Sequence, residues 1–416
     1  MESQNEAAVV KETSVLADPP VNFGKLLRSR REEAGLSLVA LAKKAGLARS
    51  TIVNLEHDLT APSPQTLRRL ASVKALRLCE IVKTDDGHRI EAWFCDAYNP
   101  MAMNHAMVRA LNGPGGQIEQ SYLYLDPQSA CDWYLLCNNE QYISLYRSQV
   151  PLAKIAERII KESKGIGIDV DGLGCGDGKT ETELMQRLAD LVPSPPDLQL
   201  YLLDISHVLL SEGYRTALNA LAPRRIPVFA IHGDFNDIAR NPLLYLHPTS
   251  IKRLRLFLMM GGTFGNIRDE PWFFRDLAAC AERGDLAVLD CGLARGSVDD
   301  PAQIRNIDPA ISAKRPADIY NRFLTGPLLR HIQGCRHVTL RTELSTHCPV
   351  PGSYSIENWA TVEKEYELAR QFLVWRVKRY DLDKLSLCLS NLGWKTLQAW
   401  KYGPDKLAAV LLVQKQ

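Results

Sequence analysis

The stretch IGIDVDGLGCGDGKT, residues 166–180, constrains the fold of this 416-residue chain more than any other segment. It is typical of an apolar strand that enters a turn with glycine at every second position, from Gly172 to Gly178, before a helical pattern in ETELMQRLADLV. Glycine in such a turn permits positive φ and lets a ligand approach the backbone closely. The pattern predicts one half of a nucleotide-binding βαβ unit, and a glycine-rich turn without a ligand is the alternative.

Further apolar segments follow, and they predict a doubly wound, mainly parallel α/β sheet. LQLYLLDIS ends near Asp204, a residue suited to accept hydrogen bonds from both hydroxyls of a ribose. RIPVFAIHGDFNDIA passes into Asp234 and Phe235, LRLFLMMGGTFGN ends at Asn266, and LAVLDCGLA is the fifth strand. Because ligands bind at the carboxyl ends of parallel strands, these residues are expected to share one site.

Composition and charge exclude several classes of protein. The net charge of +2 means that any contact with nucleic acid must come from a local basic cluster. The ten cysteines form no CxxC pair, which favours reduced thiols and no metal site. No apolar run is long enough to span a bilayer, and residues 1–20 lack the features of a signal peptide. A cytoplasmic protein without membrane contact is therefore expected.

Residues 23–76 contain short helical patterns separated by turn signals. Ser37 and Ser63 are placed as N-caps, and Gly35 and Gly46 as helix stops. The turn at residues 46–48 joins the second and third helices at the spacing of a helix-turn-helix.

The stretch LAKKAGLARSTIVNLEHDLTAPSPQTLRRLA resembles the Xre/Cro-type family of DNA-binding proteins. The resemblance implies that the third helix enters the major groove of double-stranded DNA, with Arg49, Ser50, Thr51 and Asn54 on its outward face. It leaves several basic residues available to phosphates: Arg28, Arg30, Arg31, Lys43 and Lys44. A homodimer is expected if the module regulates transcription, because one module reads only a half-site. A helical bundle kept for contact with another protein is the alternative.

The glycine-rich turn is closer to the GxGxG signature of Rossmann-like S-adenosylmethionine (SAM) methyltransferases than to the GxGxxG of dinucleotide enzymes. With the later segments, the chain from about Tyr122 to its end resembles the histidine-specific SAM-dependent methyltransferase family, whose best-known member trimethylates histidine in ergothioneine biosynthesis. The segments that carry the resemblance are GLGCGDGKT, LLDIS, GDF, GGTFGN and RYDLDKLSLCLSNLGWKTLQAWKYGPDKLAAVLLV.

This resemblance implies SAM as the cofactor and assigns it a set of ligands. The methionine part would lie against Gly174, Gly176 and Lys179, the ribose at Asp204, and the adenine at Asp234 and Phe235. On the substrate side, Asn266 would hold the amino-acid group of the substrate, assisted by Tyr142 from a helical insert.

Two departures from the family's pattern bear on the site. Gly172 stands where the family commonly has an acidic residue, and Asp171 falls one residue early. In the strand LVWRVKRY, Trp375 and Val377 replace the Glu and Ser that recognise imidazole in the family.

A Glu and a Ser with the same spacing as the family's imidazole-recognising pair occur elsewhere in the sequence. RTELSTHC carries Glu343 and Ser345 in the right pattern, about 35 residues too early. A tryptophan stacks on planar or cationic groups and cannot replace a charged hydrogen bond to imidazole. Trp375 is therefore predicted to contact the substrate, and histidine is not expected to be that substrate.

The predicted function is a methyltransferase that N-methylates an amino acid or a related small amine, by direct attack of a nitrogen on the sulfonium methyl. No catalytic base is identified, and Asp234 and Tyr142 are candidates by resemblance alone. The alternative is a transcriptional regulator whose methyltransferase-like domain only senses SAM or a metabolite.

Two classes of DNA methyltransferase fit the sequence less well. A DNA amino-methyltransferase carries a [DNS]PP[FYW] turn after its fourth strand, where this chain has GGTFGN. A cytosine C5 enzyme needs a Pro-Cys turn, and Cys348-Pro349 has the reverse order.

The sequence predicts four parts. These are a flexible tail (1–20), an Xre-type helix-turn-helix domain (21–78), a connecting segment (79–121), and a methyltransferase domain with a helical substrate-binding insert (122–416).

Overall fold

The computed structural model describes residues 23–57, 59–60, 66, 69–70, 73, 76, 80–83, 87, 89–96, 100–145, 147–192, 198–240, 253–296, 298–307, 317–365 and 368–416. The predicted tail and the predicted cap at Ser63 lie outside these residues.

The bounds of the described elements are as follows. The helices are α1 (Phe23–Glu33), α2 (Leu38–Ala45), α3 (Arg49–Glu56), α4 (Pro100–Leu111), α5 (Tyr122–Leu125), α6 (Pro127–Cys137), α7 (Glu140–Leu145), α8 (Leu152–Ser163), α9 (Lys179–Leu191), α10 (His207–Leu221), α11 (Glu270–Cys280), α12 (Pro301–Ile307), α13 (Ala317–His331) and α14 (Leu382–Asn391). The strands are β1 (Glu80–Lys83), β2 (Arg89–Asp96), β3 (Gly116–Gln117), β4 (Ile168–Leu173), β5 (Leu198–Asp204), β6 (Val228–His232), β7 (Leu254–Met259), β8 (Leu286–Leu293), β9 (Cys335–Ser345), β10 (Tyr354–Lys364), β11 (Arg370–Tyr380), β12 (Trp394–Tyr402) and β13 (Ala408–Lys415).

The N-terminal helices begin and end where the turn signals predicted. The Ser37 hydroxyl accepts a hydrogen bond from the backbone N–H of Ala40 and caps α2. Gly46 ends this helix with φ 62°, a conformation that glycine adopts without strain. The buried side chains that hold the helices together are Leu27, Leu41, Ala42, Ala45, Ile52, Leu55, Leu70, Val73 and Leu76.

The large sheet has the predicted doubly wound α/β form. Strands β4 to β8 are parallel and lie in the spatial order β6-β5-β4-β7-β8. Counted from β4, this order is 3-2-1-4-5, so the chain winds outward from β4 in both directions. Strand β13 follows β8 in antiparallel orientation, and β12 pairs with β13.

Both faces of this sheet are covered by helices, as its apolar strands require. Leu200 and Leu256 face one side, together with buried residues of α8, α9 and α10. Tyr201 and Phe257 point to the opposite side, where buried residues of α11 and α14 lie.

A second group of strands extends the sheet beyond β8. Strands β9, β10 and β11 are antiparallel to one another, and the end of β11 runs parallel to the end of β8 at Arg379 and Tyr380. Helix α13 packs on α6 and on β9, so the helical insert lies beside this extension.

The segment expected to connect the two domains contributes to the same sheet. Strand β2 pairs in parallel with β6, from Ala92 opposite Val228 to Asp96 opposite His232. We therefore propose that the sheet-containing domain begins near residue 80 rather than at residue 122. In the described residues, no helix combines the length and apolar character needed to cross a bilayer.

Candidate functional site

A cavity of about 790 Å³ lies at the carboxyl ends of the central parallel strands. It is lined by the segments that follow β4, β5, β6 and β7, and by the end of β8. The chain winds in opposite directions from β4 and from β7, and ligands of open α/β sheets bind at such a switch point. Seven residues predicted to bind the cofactor or the substrate line this cavity: Gly174, Gly176, Asp204, Asp234, Phe235, Asn266 and Trp375.

The glycine-rich turn after β4 depends on glycine at specific positions. Gly174 has φ 67°, and a Cβ on it would lie 2.8 Å from Cγ2 of Thr263 and 3.1 Å from Cε1 of Phe235. Gly178 precedes α9 with φ 63°, and its Cβ would lie 2.9 Å from the Cα of Gly213 in α10. The sequence pattern therefore reflects close contacts of the turn with three neighbouring segments.

Asp204 ends β5 and holds the glycine-rich turn in place. Its Oδ2 accepts a hydrogen bond from the backbone N–H of Gly176 over 2.8 Å, and its Oδ1 accepts one from the N–H of Ser206 over 2.8 Å. Burial raises the pKa of this carboxyl, and the two backbone hydrogen bonds counteract part of that rise. Asp204 therefore lines the cavity as a well-oriented acceptor.

The segments after β6 and β7 form the neighbouring walls. Oδ1 of Asp234 accepts hydrogen bonds of 2.8 Å from the backbone and side-chain nitrogens of Asn236. Asn266 ends the short 3₁₀ helix Thr263–Asn266, and its Oδ1 is buried without a hydrogen-bond partner in the described part of the chain. A buried acceptor of this kind fits a donor on a ligand.

The segment that follows Asn266 is held by a buried ion pair between Lys378 and Glu270. Nζ of Lys378, on β11, donates to the carbonyl oxygens of Ile267 (2.6 Å) and Arg268 (3.1 Å) and contacts Glu270 over 2.5 Å. The hydroxyl of Tyr380 also contacts Glu270. The turn that carries Asn266 is thus fixed by charged groups at its back.

An aromatic cluster borders the cavity on the side of β11. It consists of Tyr124, Trp133, Phe323 and Trp375, and the ring centroid of Trp375 lies 5.3 Å from those of both Trp133 and Phe323. Trp375 is only 5% exposed, so the cluster supports its position. Nearby, the side-chain nitrogen of Gln120 is buried without a partner in the described residues, while its oxygen accepts from the N–H of Arg376.

Lys179 has a position different from that of the other predicted ligands. It is not among the described residues that line the cavity. Its ammonium group contacts the side-chain oxygen of Asn138 and lies 3.4 Å from Asp177. Asp177 also accepts hydrogen bonds from Arg147, the shorter over 2.9 Å, so this network joins the glycine-rich turn to the helical insert.

Three further residues were singled out in the sequence: Tyr142, Glu343 and Ser345. None of them is among the described side chains that line the cavity. The side chain of Tyr142 is not among the described side chains. Glu343 lies on β9 and pairs with Arg341 over 2.7 Å, and neither Glu343 nor Ser345 is a lining residue.

The carboxylates that line the cavity and were not predicted from the sequence include two buried ones, Glu181 and Asp290. Burial raises the pKa of Glu181, on α9, to about 8 and that of Asp290, on β8, to about 6. Asp290 accepts a hydrogen bond of 2.5 Å from the hydroxyl of Tyr402. An acidic residue inside the apolar run LAVLDCGLA is a signal that could have identified it.

The helix-turn-helix presents the predicted residues at the start of α3. Arg49 and Ser50 are exposed, and Thr51 and Asn54 are partly exposed. Arg31 differs from the prediction that it is available to phosphates. Its guanidinium donates to both carboxylate oxygens of the buried Glu56, over 2.6 and 2.9 Å, and so joins α1 to α3.

Comparison with known proteins gives one family match. A helix-turn-helix family model matches residues 27–73. No curated protein matches this chain.

Solved structures of methyltransferases align with most of the chain at low identity. A SAM-dependent methyltransferase from Clostridium acetobutylicum is 15% identical, with a TM-score of 0.34, and the alignment covers 66% of this chain and 96% of that one. Magnesium protoporphyrin IX methyltransferase from Synechocystis, with bound S-adenosylhomocysteine, is 11% identical, with a TM-score of 0.38 and coverages of 70% and 97%. The 1,6-didemethyltoxoflavin N1-methyltransferase from Burkholderia thailandensis is 8% identical, with a TM-score of 0.37 and coverages of 81% and 99%. Similarity this low says nothing about the ligands of this chain.

Proposed function

We propose that the sheet-containing domain is a SAM-dependent methyltransferase that N-methylates an amino acid or a related small amine. The observation that carries the proposal is the position of Asp204, at a strand end, bonded to the glycine-rich turn and facing a cavity at the switch point of the sheet. A carboxylate there suits the ribose of a nucleoside.

The side chains and backbone groups that line the cavity are suited to such a cofactor. Gly174 and Gly176 line the cavity, and at Gly176 the space that a Cβ would take is open. Asp204 would accept from ribose hydroxyls, and Asp234 with Phe235 would bracket the adenine. When bound, SAM supplies a methyl group already activated by its sulfonium. Lys179 is proposed to act through Asp177 on the turn rather than by direct contact.

The chain itself would contribute binding, orientation and exclusion of water. Asn266 offers a buried acceptor to the amine of the substrate, and Trp375 offers an aromatic wall. Tyr142 is kept as a proposed substrate contact from the resemblance alone. The aromatic cluster favours an acceptor with an apolar or planar group over a small, strongly polar one.

We propose that the N-terminal helices bind double-stranded DNA through Arg49, Ser50, Thr51 and Asn54. The match of residues 27–73 to a helix-turn-helix model and the exposure of the residues at the start of α3 support this role.

The same module supports a second candidate function, in which the protein is a regulator that binds SAM without consuming it. A homodimer is expected in that case.

Product analysis separates the two functions. The protein is incubated with SAM and a pool of amino acids and amines, and S-adenosylhomocysteine and methylated products are measured by mass spectrometry. The methyltransferase proposal predicts a methylated amine, whose formation falls in Trp375→Ala and much less in Trp359→Ala, a tryptophan of β10 that is not a lining residue. SAM binding without any product would support the sensor.

A further inference from the structure

Glu181 is a buried carboxylate that faces the cavity and that the proposed roles leave unused. It lies in the first turn of α9, lines the cavity, and is 3% exposed. Among the described residues, no side chain hydrogen-bonds to its carboxylate, which accepts a hydrogen bond only from its own backbone N–H. A carboxylate buried in this way is unfavourable unless a partner satisfies it, so a ligand group is the natural partner to consider.

Gly172 makes room for this side chain. A Cβ at residue 172 would lie 2.8 Å from Cγ of Glu181, closer than any stable contact allows. The side chain from α9 therefore occupies the space beside the end of β4 that a side chain on the strand would otherwise fill. Cys175 and Leu202 border the same space, at 3.5 and 3.6 Å from that Cβ position.

The charges around Glu181 favour a cationic partner. The groups that act on it are Asp177 from the glycine-rich turn, Asp204 from β5, and Arg147. Arg147 and Lys179 both pair with Asp177, over 2.9 and 3.4 Å, and in the described residues neither pairs with Glu181. Burial and the two aspartates raise the pKa of Glu181 to about 8. A cation that enters the cavity would restore the ionised carboxylate.

We propose that Glu181, whose side chain fills the space beside Gly172, binds the amino group of the amino-acid part of SAM. This inference rests on the proposed function. An ammonium group could also come from the methyl acceptor. The position of Glu181 between Gly172, Cys175 and Asp204 favours SAM, because these residues belong to the turn and strand end assigned to the cofactor, whereas Trp375 lies on β11.

Two adenosyl ligands separate this role from a structural one. S-adenosylhomocysteine carries the amino-acid part, and 5′-methylthioadenosine lacks it. Calorimetric titration of both into the wild-type protein and Glu181→Gln is expected to show about tenfold or greater loss of affinity for S-adenosylhomocysteine. The affinity for methylthioadenosine is expected to change less than twofold. Glu183→Gln is the matched control, because Glu183 lies on the same helix, exposed and paired with Arg187.

A second variant tests the same space from the strand. Gly172→Ala places a methyl group against Cγ of Glu181 and is expected to weaken binding of S-adenosylhomocysteine selectively, as Glu181→Gln does. If Glu181→Gln keeps the wild-type affinity for both ligands, or loses affinity for both equally, the assignment of Glu181 to the amino group is overturned. The proposed function would remain intact. A wild-type protein that binds neither ligand would overturn both.

Discussion

The backbone N–H of Gly176 donates a hydrogen bond to Oδ2 of Asp204 over 2.8 Å, and so joins the turn after β4 to the end of β5. The carboxylate that would receive the ribose is therefore also the group that positions the glycine-rich turn. Removing it is expected to change both the ligand contact and the shape of the turn.

Gly178→Ala is expected to destabilise the protein by about 2–4 kcal/mol, because the new Cβ meets the backbone of Gly213 at positive φ. Gly176→Ala is the control, since its φ is also positive but its Cβ would have nothing within 4 Å. It is expected to lose only about 1–2 kcal/mol. Urea denaturation measures the free energy of unfolding of both variants. Equal losses would show that the contact with Gly213 does not add to the destabilisation.

Glu56→Gln is expected to destabilise the helix-turn-helix by about 1–3 kcal/mol, because it leaves the Arg31 guanidinium without its charged partner between α1 and α3. Hydrogen exchange of the amides in residues 38–56 reports this local change. Glu33→Gln removes an exposed pairing with Arg30 and serves as the control, with no measurable change expected. Equal exchange rates in the two variants would contradict a structural role for the Arg31–Glu56 pair.

The basic residues of α2 are expected to bind DNA phosphates. Replacing Lys43 and Lys44 by alanine should weaken binding to non-specific duplex DNA and lower the slope of log affinity against log salt by about 2. The control replaces Lys154 and Lys161, which are exposed on α8. If this control lowers the slope as much, the DNA contact does not depend on the helix-turn-helix.

The raised pKa of Glu181 predicts a dependence of stability on pH. The native protein retains a proton on this carboxyl up to about pH 8, whereas the unfolded chain loses it near pH 4.5. The free energy of unfolding should therefore fall as pH rises through this window, by on the order of a few kcal/mol relative to Glu181→Gln. Denaturation at pH 5, 6.5 and 8 tests the sign, and parallel curves for the two proteins would contradict the shift.

Local patterns in the sequence predicted the parts of the fold and site that depend on them. The glycine-rich turn, Asp204, Asp234 and Asn266 each follow an apolar strand, and parallel strands bring their carboxyl ends together. The roles of these residues remain predictions, although their shared position is as expected.

Features that depend on distant contacts could not be predicted. Lys179 is held by Asn138, 41 residues away, so its position in the motif did not indicate where its ammonium lies. Strand β2 pairs with a strand more than 130 residues later, so its local sequence did not indicate its place in the sheet. Glu181 could not be recognised as a lining residue, because its location depends on the space left by Gly172 on another element.

Calorimetric titration of SAM into the wild-type protein and into Asp204→Ala tests whether this cavity binds SAM. We expect a saturable 1:1 complex with the wild-type protein and loss of that complex in the variant, because a hydrogen-bonded carboxylate is removed from the proposed ribose position. Retained folding of the variant is checked by its far-ultraviolet circular dichroism. Absence of binding by the wild-type protein, or equal binding by both, would contradict the assignment of this cavity to SAM.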